Sequence, residues 1–301
     1  MDKIIYEETL QQERLDKFLV KKFWFSRNFF HHIIQRGWVL VNWKTTKKSY
    51  NLKPQDEIQI ENLQRFTSTE ILQDFAWESL DVLLEEKDYL VVYKPKWILS
   101  HPGSIWDISS PSVVWFIYQK FKDTPYVWNF IRAWLIHRLD KETDWPMIIV
   151  KTEKWLQHFK ELFHSKSNAK TINQKESIPL KKFYKATAKL NEQGQKFFAE
   201  QKKPFYIQQE VIPKVPRPHI KEWITKIINV KQINDYHEIY MEILTGRTHQ
   251  IRYHLSANWA KILWDYLYWQ TEWSKKMLLS CSQIEFKDVY WDYKIINNTY
   301  L

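Results

Sequence analysis

The sequence predicts an α+β fold in two parts: a small two-helix plus hairpin domain, followed by a larger domain built on a mixed, largely antiparallel sheet. Three observations carry this reading. Between residues 14 and 53, apolar residues recur at helical spacing in RLDKFLVKKF and SRNFFHHIIQ, then give way to short strand-like runs in VLVNWK. Beyond residue 80, strand-like runs outnumber helical stretches and do not alternate strictly with them, which argues against a doubly wound sheet. Between these regions, residues 62–78 are polar and weakly periodic. We therefore place the small basic domain at 1–63, a linker at 64–79 and the larger domain at 80–301.

Taken in order, Ser26 is the expected N-cap of the second short helix. VLVNWK reads as strand, turn, strand if Trp43 stands for a glycine, and LKPQDEIQIE closes the small domain with another strand. The larger domain opens with SLDVLLEEKDYLVVYKP, in which two apolar runs flank a charged turn as in a hairpin. Further strands are expected in PMIIVKT, FYKATAKL, ITKIINV, HEIYMEIL and IEFKDVY, and helices around 111–122, 153–165 and 248–257. Residues 164–182 and 191–221, rich in Lys, Gln and Pro, are expected to be exposed loops.

Charge points to a polyanionic partner. The chain carries a net +10, and residues 14–53 hold ten Lys or Arg against the single acid Asp16. Such a cluster favours nucleic acid through release of condensed counterions, with an anionic membrane as the weaker alternative. Cys281 is the only cysteine, which rules out an intrachain disulfide or a thiolate-built zinc site and fits the cytosol. No uncharged apolar run of about 18 residues and no signal-like N-terminus is present, so a cytoplasmic protein without membrane attachment is expected.

One count is wrong for a globular chain. There are 17 tryptophans and 4 glycines, where average usage gives roughly 21 glycines for this length. Tryptophan also stands where turn chemistry wants a residue free to take positive φ, as at Trp38, Trp43 and Trp269. We infer that UGA encodes glycine in this gene and that the written translation reads it as tryptophan. The alternative is a Trp-rich surface that stacks RNA bases.

Three segments set charged groups beside apolar strands. LIHRLDKETDWPMIIVKT brings His137, Arg138 and Asp140 between two apolar runs, where a carboxylate must be paired or functional. KKFYKATAKL puts Tyr184 on a strand among lysines. EILTGRTHQIRYHLSA runs from a strand through a turn at Gly246 into a helix carrying Arg247, His249, Gln250 and Arg252, groups suited to holding phosphates or a carboxylate. Each has a plainer explanation, a structural ion pair for Asp140 or a core aromatic for Tyr184. The histidines show no metal-ligand spacing such as HExxH, and no GxGxxG or GxxxxGK[ST] string is present even with glycine restored, so neither metal nor nucleotide cofactor is expected.

These strings resemble the RluA/RluD-type RNA pseudouridine synthases. His137–Trp145 is similar to HRLDxxTSG, Thr245–Leu255 to TGRTHQIRxHL, Tyr93–Gly103 to NKPxGxxxHPG and Trp259–Trp269 to GHPIxGDxLYG. RLDKFL, SRNFFHHII and VLVNWK resemble the small ribosomal-protein-like RNA-binding domain that many of these enzymes carry. Trp97, Trp134, Trp145, Trp259, Trp264 and Trp269 fall where the family motifs have glycine, an agreement independent of composition. Asp144 departs from the pattern by replacing the motif serine.

The resemblance implies that Asp140 is the catalytic carboxylate, acting as nucleophile or base while the C–N glycosidic bond is broken and the uracil is rejoined through C5. It implies that Arg247 pairs with Asp140 and that Tyr184 stacks on the target base. Arg138 would fill the space left by the extruded uridine, with His249, Gln250 and Arg252 supporting the site or binding substrate. Arg14, Lys17, Arg27, Arg36, Lys44, Lys47 and Lys48 of the N-terminal module would contact RNA. The expected partner is structured RNA, large-subunit ribosomal RNA first and transfer RNA as runner-up, acted on by a monomer without cofactor. The competing reading is a catalytically silent RNA-binding or ribosome-assembly factor of the same fold.

Overall fold

A computed structural model describes residues 2–7, 13–23, 27–61, 80–101, 110–120, 135–209, 223–269 and 276–298. The expected Ser26 cap and the 64–79 linker lie outside these residues. The chain divides into two compact units, one of residues 1–80 with 98–135, the other of 81–97 with 136–301. Of the stretch 98–135, the described residues 98–101, 110–120 and 135 group with the N-terminal module.

In the first unit, strand β1 (Asp2–Ile5) precedes helices α1 (Leu15–Phe23) and α2 (Arg27–Gln35), then strands β2 (Val39–Val41), β3 (Lys44–Thr45) and β4 (Glu57–Ile60). The strands form one antiparallel sheet in the order β1-β4-β2-β3. Leu15, Phe18 and Leu19 recur at i, i+3 and i+4 and bury one face of α1 with Phe29, Phe30 and Ile33 of α2. Each such buried side chain contributes about 1.5–3 kcal/mol relative to exposure. Helix α3 (Val113–Lys120) adds Trp115 to the same core. Asp16, fully buried, accepts hydrogen bonds from Arg14, Arg27 and His31. Burial pushes its carboxyl up, but the bonds from His31, Arg14 and Arg27 outweigh that and hold it at about 2. The only acid of the basic stretch is therefore a structural hub that organises two arginines and a histidine.

In the second unit, β5 (Val82–Glu85) and β6 (Tyr89–Lys94) form the expected hairpin, and β7 (Trp145–Val150) completes a three-stranded sheet. Helices α4 (Glu153–Asn168) and α5 (Ile172–Ser177) lead into β8 (Leu180–Leu190), followed by α6 (Glu192–Glu200), β9 (Phe205–Gln209), β10 (Trp223–Ile233) and β11 (Tyr236–Ile243). Helix α7 (Gln250–Ala257), β12 (Ala260–Ile262), α8 (Tyr266–Trp269), β13 (Leu279–Lys287) and β14 (Tyr293–Asn297) complete it. The large sheet runs β14-β13-β8-β11-β10-β9, with β12 also on β8, every pairing antiparallel. The α+β prediction holds.

Two expectations fail. Residues 164–182 are not a loop: α4 runs to Asn168, and Thr171 opens α5 with a capping box closed by Gln174. Two of the lysines that suggested exposure are buried, Lys175 Nζ donating to the carbonyls of Lys166 and Ala169, and Lys166 Nζ to that of Leu180. Residues 191–209 likewise fold, with Asn191 capping α6 through the Gly194 N–H. Residues 210–222 lie outside the described set.

Tryptophan geometry matches the glycine reading at particular positions. Trp43, Trp97, Trp259, Trp264 and Trp291 have φ of 65°, 74°, 59°, 61° and 68°, the left-handed region that glycine enters at no steric cost. Asn42 and Trp43, both at positive φ, form a two-residue hairpin turn of the kind that prefers Asn-Gly. The indole N–H groups of Trp145 and Trp155 are buried without a partner, each costing about 1–3 kcal/mol. At two turn positions the expectation fails: beside Trp38 it is Gly37 that takes φ 75°, and Trp269 ends helix α8. Trp134 lies outside the described residues. A left-handed bulky residue costs roughly 1–2 kcal/mol, so glycine at positions 43, 97, 259, 264 and 291 together is expected to raise the unfolding free energy by several kcal/mol in a denaturant titration. UGA at those codons is the matching genetic result; UGG there with no gain in stability overturns the reading.

Candidate active site

A cavity of about 540 Å³ opens in the second unit. Its wall includes Arg138 and Asp140 from the segment before β7, Tyr184 from β8, and Arg247, His249, Gln250 and Arg252 from the β11–α7 connection. All seven residues of the sequence-predicted site are therefore brought to one cavity.

Asp140 sits at the entry to a turn closed by the Thr143 N–H on its own carbonyl. Its carboxylate accepts the His249 backbone N–H at 3.3 Å. His249 can present that N–H because it occupies the left-handed region, φ 57°, immediately before α7. Burial and the Arg252 charge lower its imidazole, against the raising effect of Asp140. The loop is anchored at Asp144, buried, which accepts from Ser280 Oγ at 2.6 Å and Tyr93 OH at 3.0 Å and pairs with Lys96 at 3.4 Å. Its carbonyl accepts the Cys281 N–H. The carboxylate that departs from the family motif is thus fully employed in holding the loop against β6 and β13.

Arg247 and Asp140 line the same cavity but form no ion pair. The expected Arg247–Asp140 pairing is corrected on this point: the Arg247 Nε is buried without a hydrogen-bond partner among the described residues, and a backbone N–H serves the carboxylate instead. Arg247 and His249 also precede α7 rather than riding on it.

Gln250 and Arg252, expected to support the site or bind substrate, spend their polar groups inside the protein. Gln250 donates to the Ile224 carbonyl and Thr225 Oγ1 and accepts from Thr245 Oγ1 and the Arg247 N–H, which exhausts its amide. Arg252 is 1% exposed and forms a two-pronged pair with Asp265, at 2.8 and 2.6 Å, beneath the Tyr266 and Tyr268 rings. Asp265 also accepts the Leu267 and Tyr268 N–H groups at the start of α8. Sequence reasoning passed over Asp265, although it lies within WAKILWDYLYW, because nothing local marks a carboxylate as the partner of an arginine 13 residues earlier.

Tyr184 is buried on β8, opposite Cys281 and Met241, with its ring edge-on to Trp145 at 5.2 Å. Burial, then the nearby Cys281 and Asp140, push its phenol well above the usual range, so it stays neutral. Arg138 is exposed at the cavity. His137 accepts the Ile148 N–H through Nε2 at 3.4 Å, and burial followed by the charge of Lys182 keeps its ring neutral.

Residues 88–257 match the family described as RNA pseudouridylate synthase, and residues 13–58 match the S4 domain. The chain belongs to the RNA pseudouridylate synthase family. An uncharacterized RNA pseudouridine synthase of Aquifex aeolicus is 26% identical over 269 residues, covering 86% of this chain and 77% of that protein. The ribosomal large subunit pseudouridine synthase D of Buchnera aphidicola is 28% identical over 255 residues, covering 82% and 73%. In fold, the human RNA pseudouridylate synthase domain containing 1 superposes with a TM-score of 0.52 at 16% identity, covering 73% and 83%. The chain is accordingly an isomerase of this family with an RNA-binding S4 module.

The pair at Arg252 gives a stability test. Asp265→Ala leaves the buried guanidinium with only Glu142, 3.8 Å away, and is expected to cost about 3 kcal/mol, whereas Arg252→Met with Asp265→Leu removes both charges and costs less. Urea titration of the two variants checks this; equal losses would show that the pair itself stabilises.

Proposed function

We propose that this pseudouridine synthase isomerises specific uridines in large-subunit ribosomal RNA, in the cytoplasm and without a cofactor. Asp140 is the catalytic carboxylate, Tyr184 packs on the base, and Arg247 supplies positive charge beside them. The observation that carries the reading is the convergence of these three residues on one cavity with the Asp140 carboxylate held by a backbone N–H. In the net reaction the C1′–N1 bond breaks, a C1′–C5 bond forms, the proton on C5 leaves and N1 gains one. A carboxylate can serve as nucleophile or base in such a sequence. Ribosomal RNA is favoured because the relative from Buchnera is named for the large subunit and because the S4 match falls on the basic module.

In residues 1–63, Lys17, Arg27, Arg36, Lys44, Lys47 and Lys48 are exposed and Arg14 is half-buried. Arg14 and Arg27 are fixed by Asp16, so this module presents preorganised cations. Its role is to position RNA, leaving chemistry to the second unit. Among the described residues no helix is long and apolar enough to cross a membrane.

Pseudouridine mapping on unmodified ribosomal RNA tests the assignment, using the full chain both as written and with glycine at the tryptophan positions. New pseudouridines that disappear with Asp140→Asn are expected; RNA binding without modification of ribosomal RNA would favour a silent assembly factor or a transfer-RNA enzyme, the latter decided by the same mapping on transfer RNA. Changing Lys44, Lys47 and Lys48 to alanine is expected to raise KM at least several-fold, reduce the salt slope by about 0.7–0.9 per lost phosphate contact and leave kcat within about twofold. A loss confined to kcat contradicts that division of labour.

A further inference from the structure

Lys182 is a half-buried cation, its ammonium at the cavity wall, for which neither the fold nor the roles assigned above give a use. It lies two residues before Tyr184 on β8, so both side chains project from the same face of the strand, and both line the cavity that contains Asp140. Its ammonium rests 4.5 Å from the centre of the Phe163 ring and 5.5 Å from that of Trp145. Among the described residues it meets no hydrogen-bond acceptor and no carboxylate within ion-pair distance.

The groups that face it deepen the imbalance. Lys166 from α4 adds a second positive charge, His137 from the segment before β7 is held neutral, and Cys281 from β13 is a thiol that burial pushes well above its usual range. Burial, then Lys166, bring the Lys182 amine down to about 7. The buried lysines nearby are employed: Lys175 binds the carbonyls of Lys166 and Ala169, and Lys166 that of Leu180. An ammonium has three donors and no acceptor. One that is kept unpaired inside a cavity costs stability and is compensated only when an anionic or carbonyl group enters.

The target base supplies such a group. When C1′–N1 breaks, the bonding pair stays with the uracil and spreads from N1 onto its two carbonyl oxygens; it is used again when C5 bonds to C1′ and the C5 proton departs. A donor that is unsatisfied in the empty site and satisfied by that transient anion stabilises the transition state more than the ground state. We propose that Lys182 is a further catalytic residue, donating a hydrogen bond to a carbonyl oxygen of the target uracil as its glycosidic bond breaks. This rests on the pseudouridine synthase reading of the cavity.

The test compares wild type, Lys182→Met and Lys182→Arg as full chains in single turnover on unmodified ribosomal and transfer RNA. Lys182→Met is expected to lower the rate about 100-fold with RNA affinity within about threefold. It should remove from the kcat/KM profile the descending limb that wild type shows as pH rises through about 7. Lys182→Arg keeps its charge and should recover at least a tenth of the rate, with the limb displaced to higher pH. Because the folded-state amine lies below its unfolded value, the lysine opposes folding most below pH 7, and Lys182→Met should melt at the wild-type temperature or above. A Lys182→Met enzyme within threefold of wild type, with the same pH profile, overturns the proposal while leaving the synthase reading intact. So does a rate loss that tracks a fall in Tm and is not recovered by arginine. Wild type that modifies neither RNA overturns both.

Discussion

Strand β8 pairs with β11 over Phe183–Ala188 on one side and with β13 and β12 over Leu180–Leu190 on the other, and this constraint governs the catalytic unit. A strand fixed on both edges cannot slip register, because a one-residue shift would exchange its two faces. Tyr184 is therefore locked opposite Met241 and Cys281, and Lys182 opposite Ile284. The same ladder reaches the loop that carries Asp140: Asp144 bridges to Ser280 on the strand beside β8, and its carboxylate gathers Ser280, Tyr93 and Lys96. The distance from strand to carboxylate is set by backbone pairing and one buried charge cluster, which suits chemistry that depends on placement.

Several buried charges of this unit form compensated pairs. Arg252 is matched by Asp265, Lys166 by Glu242 and Asp144 by Lys96. Lys94, beside β7, is buried and pushed down to about 7 by that burial, against the attraction of Asp144, Glu142 and Asp140. Arg247, with its unpartnered Nε, and Lys182, beside the Phe163 and Trp145 rings, have no carboxylate partner among the described residues, and both line the cavity. Two cations without a carboxylate partner at the cavity are thus available to an incoming substrate.

The sequence made this fold legible where periodicity and turn chemistry agree. The β5–β6 hairpin, the Asn42–Trp43 turn and the strands on either side of β8 could be read because apolar alternation and turn residues point the same way. Helices α4 and α5 were partly hidden because Lys166 and Lys175, which look like surface residues, bury their stems and cap carbonyls within the fold. Site residues were legible as a set, since four motifs had to converge, but their roles were not. Gln250 and Arg252 advertise polarity without disclosing that their partners are Thr225, Thr245 and Asp265. Lys182 was passed over for the opposite reason: its significance is the lack of a partner, and only a folded structure can display that.

The glycine reading and the lysine meet at position 145. Trp145 is fully buried at the start of β7, its indole 5.2 Å from Tyr184, 5.3 Å from His137 and 5.5 Å from the Lys182 ammonium, with its own N–H unsatisfied. With glycine there, the volume of that indole would pass to the space between Tyr184 and Lys182. The ammonium would lose one of its two aromatic walls and keep the other, Phe163. A planar base entering from the Asp140 side would then find the stacking ring of Tyr184 and the donor of Lys182 facing one opened volume. The same substitution that relieves a buried, unpartnered N–H would thereby enlarge the site where the base must fit, so stability and activity at position 145 are expected to change in the same direction.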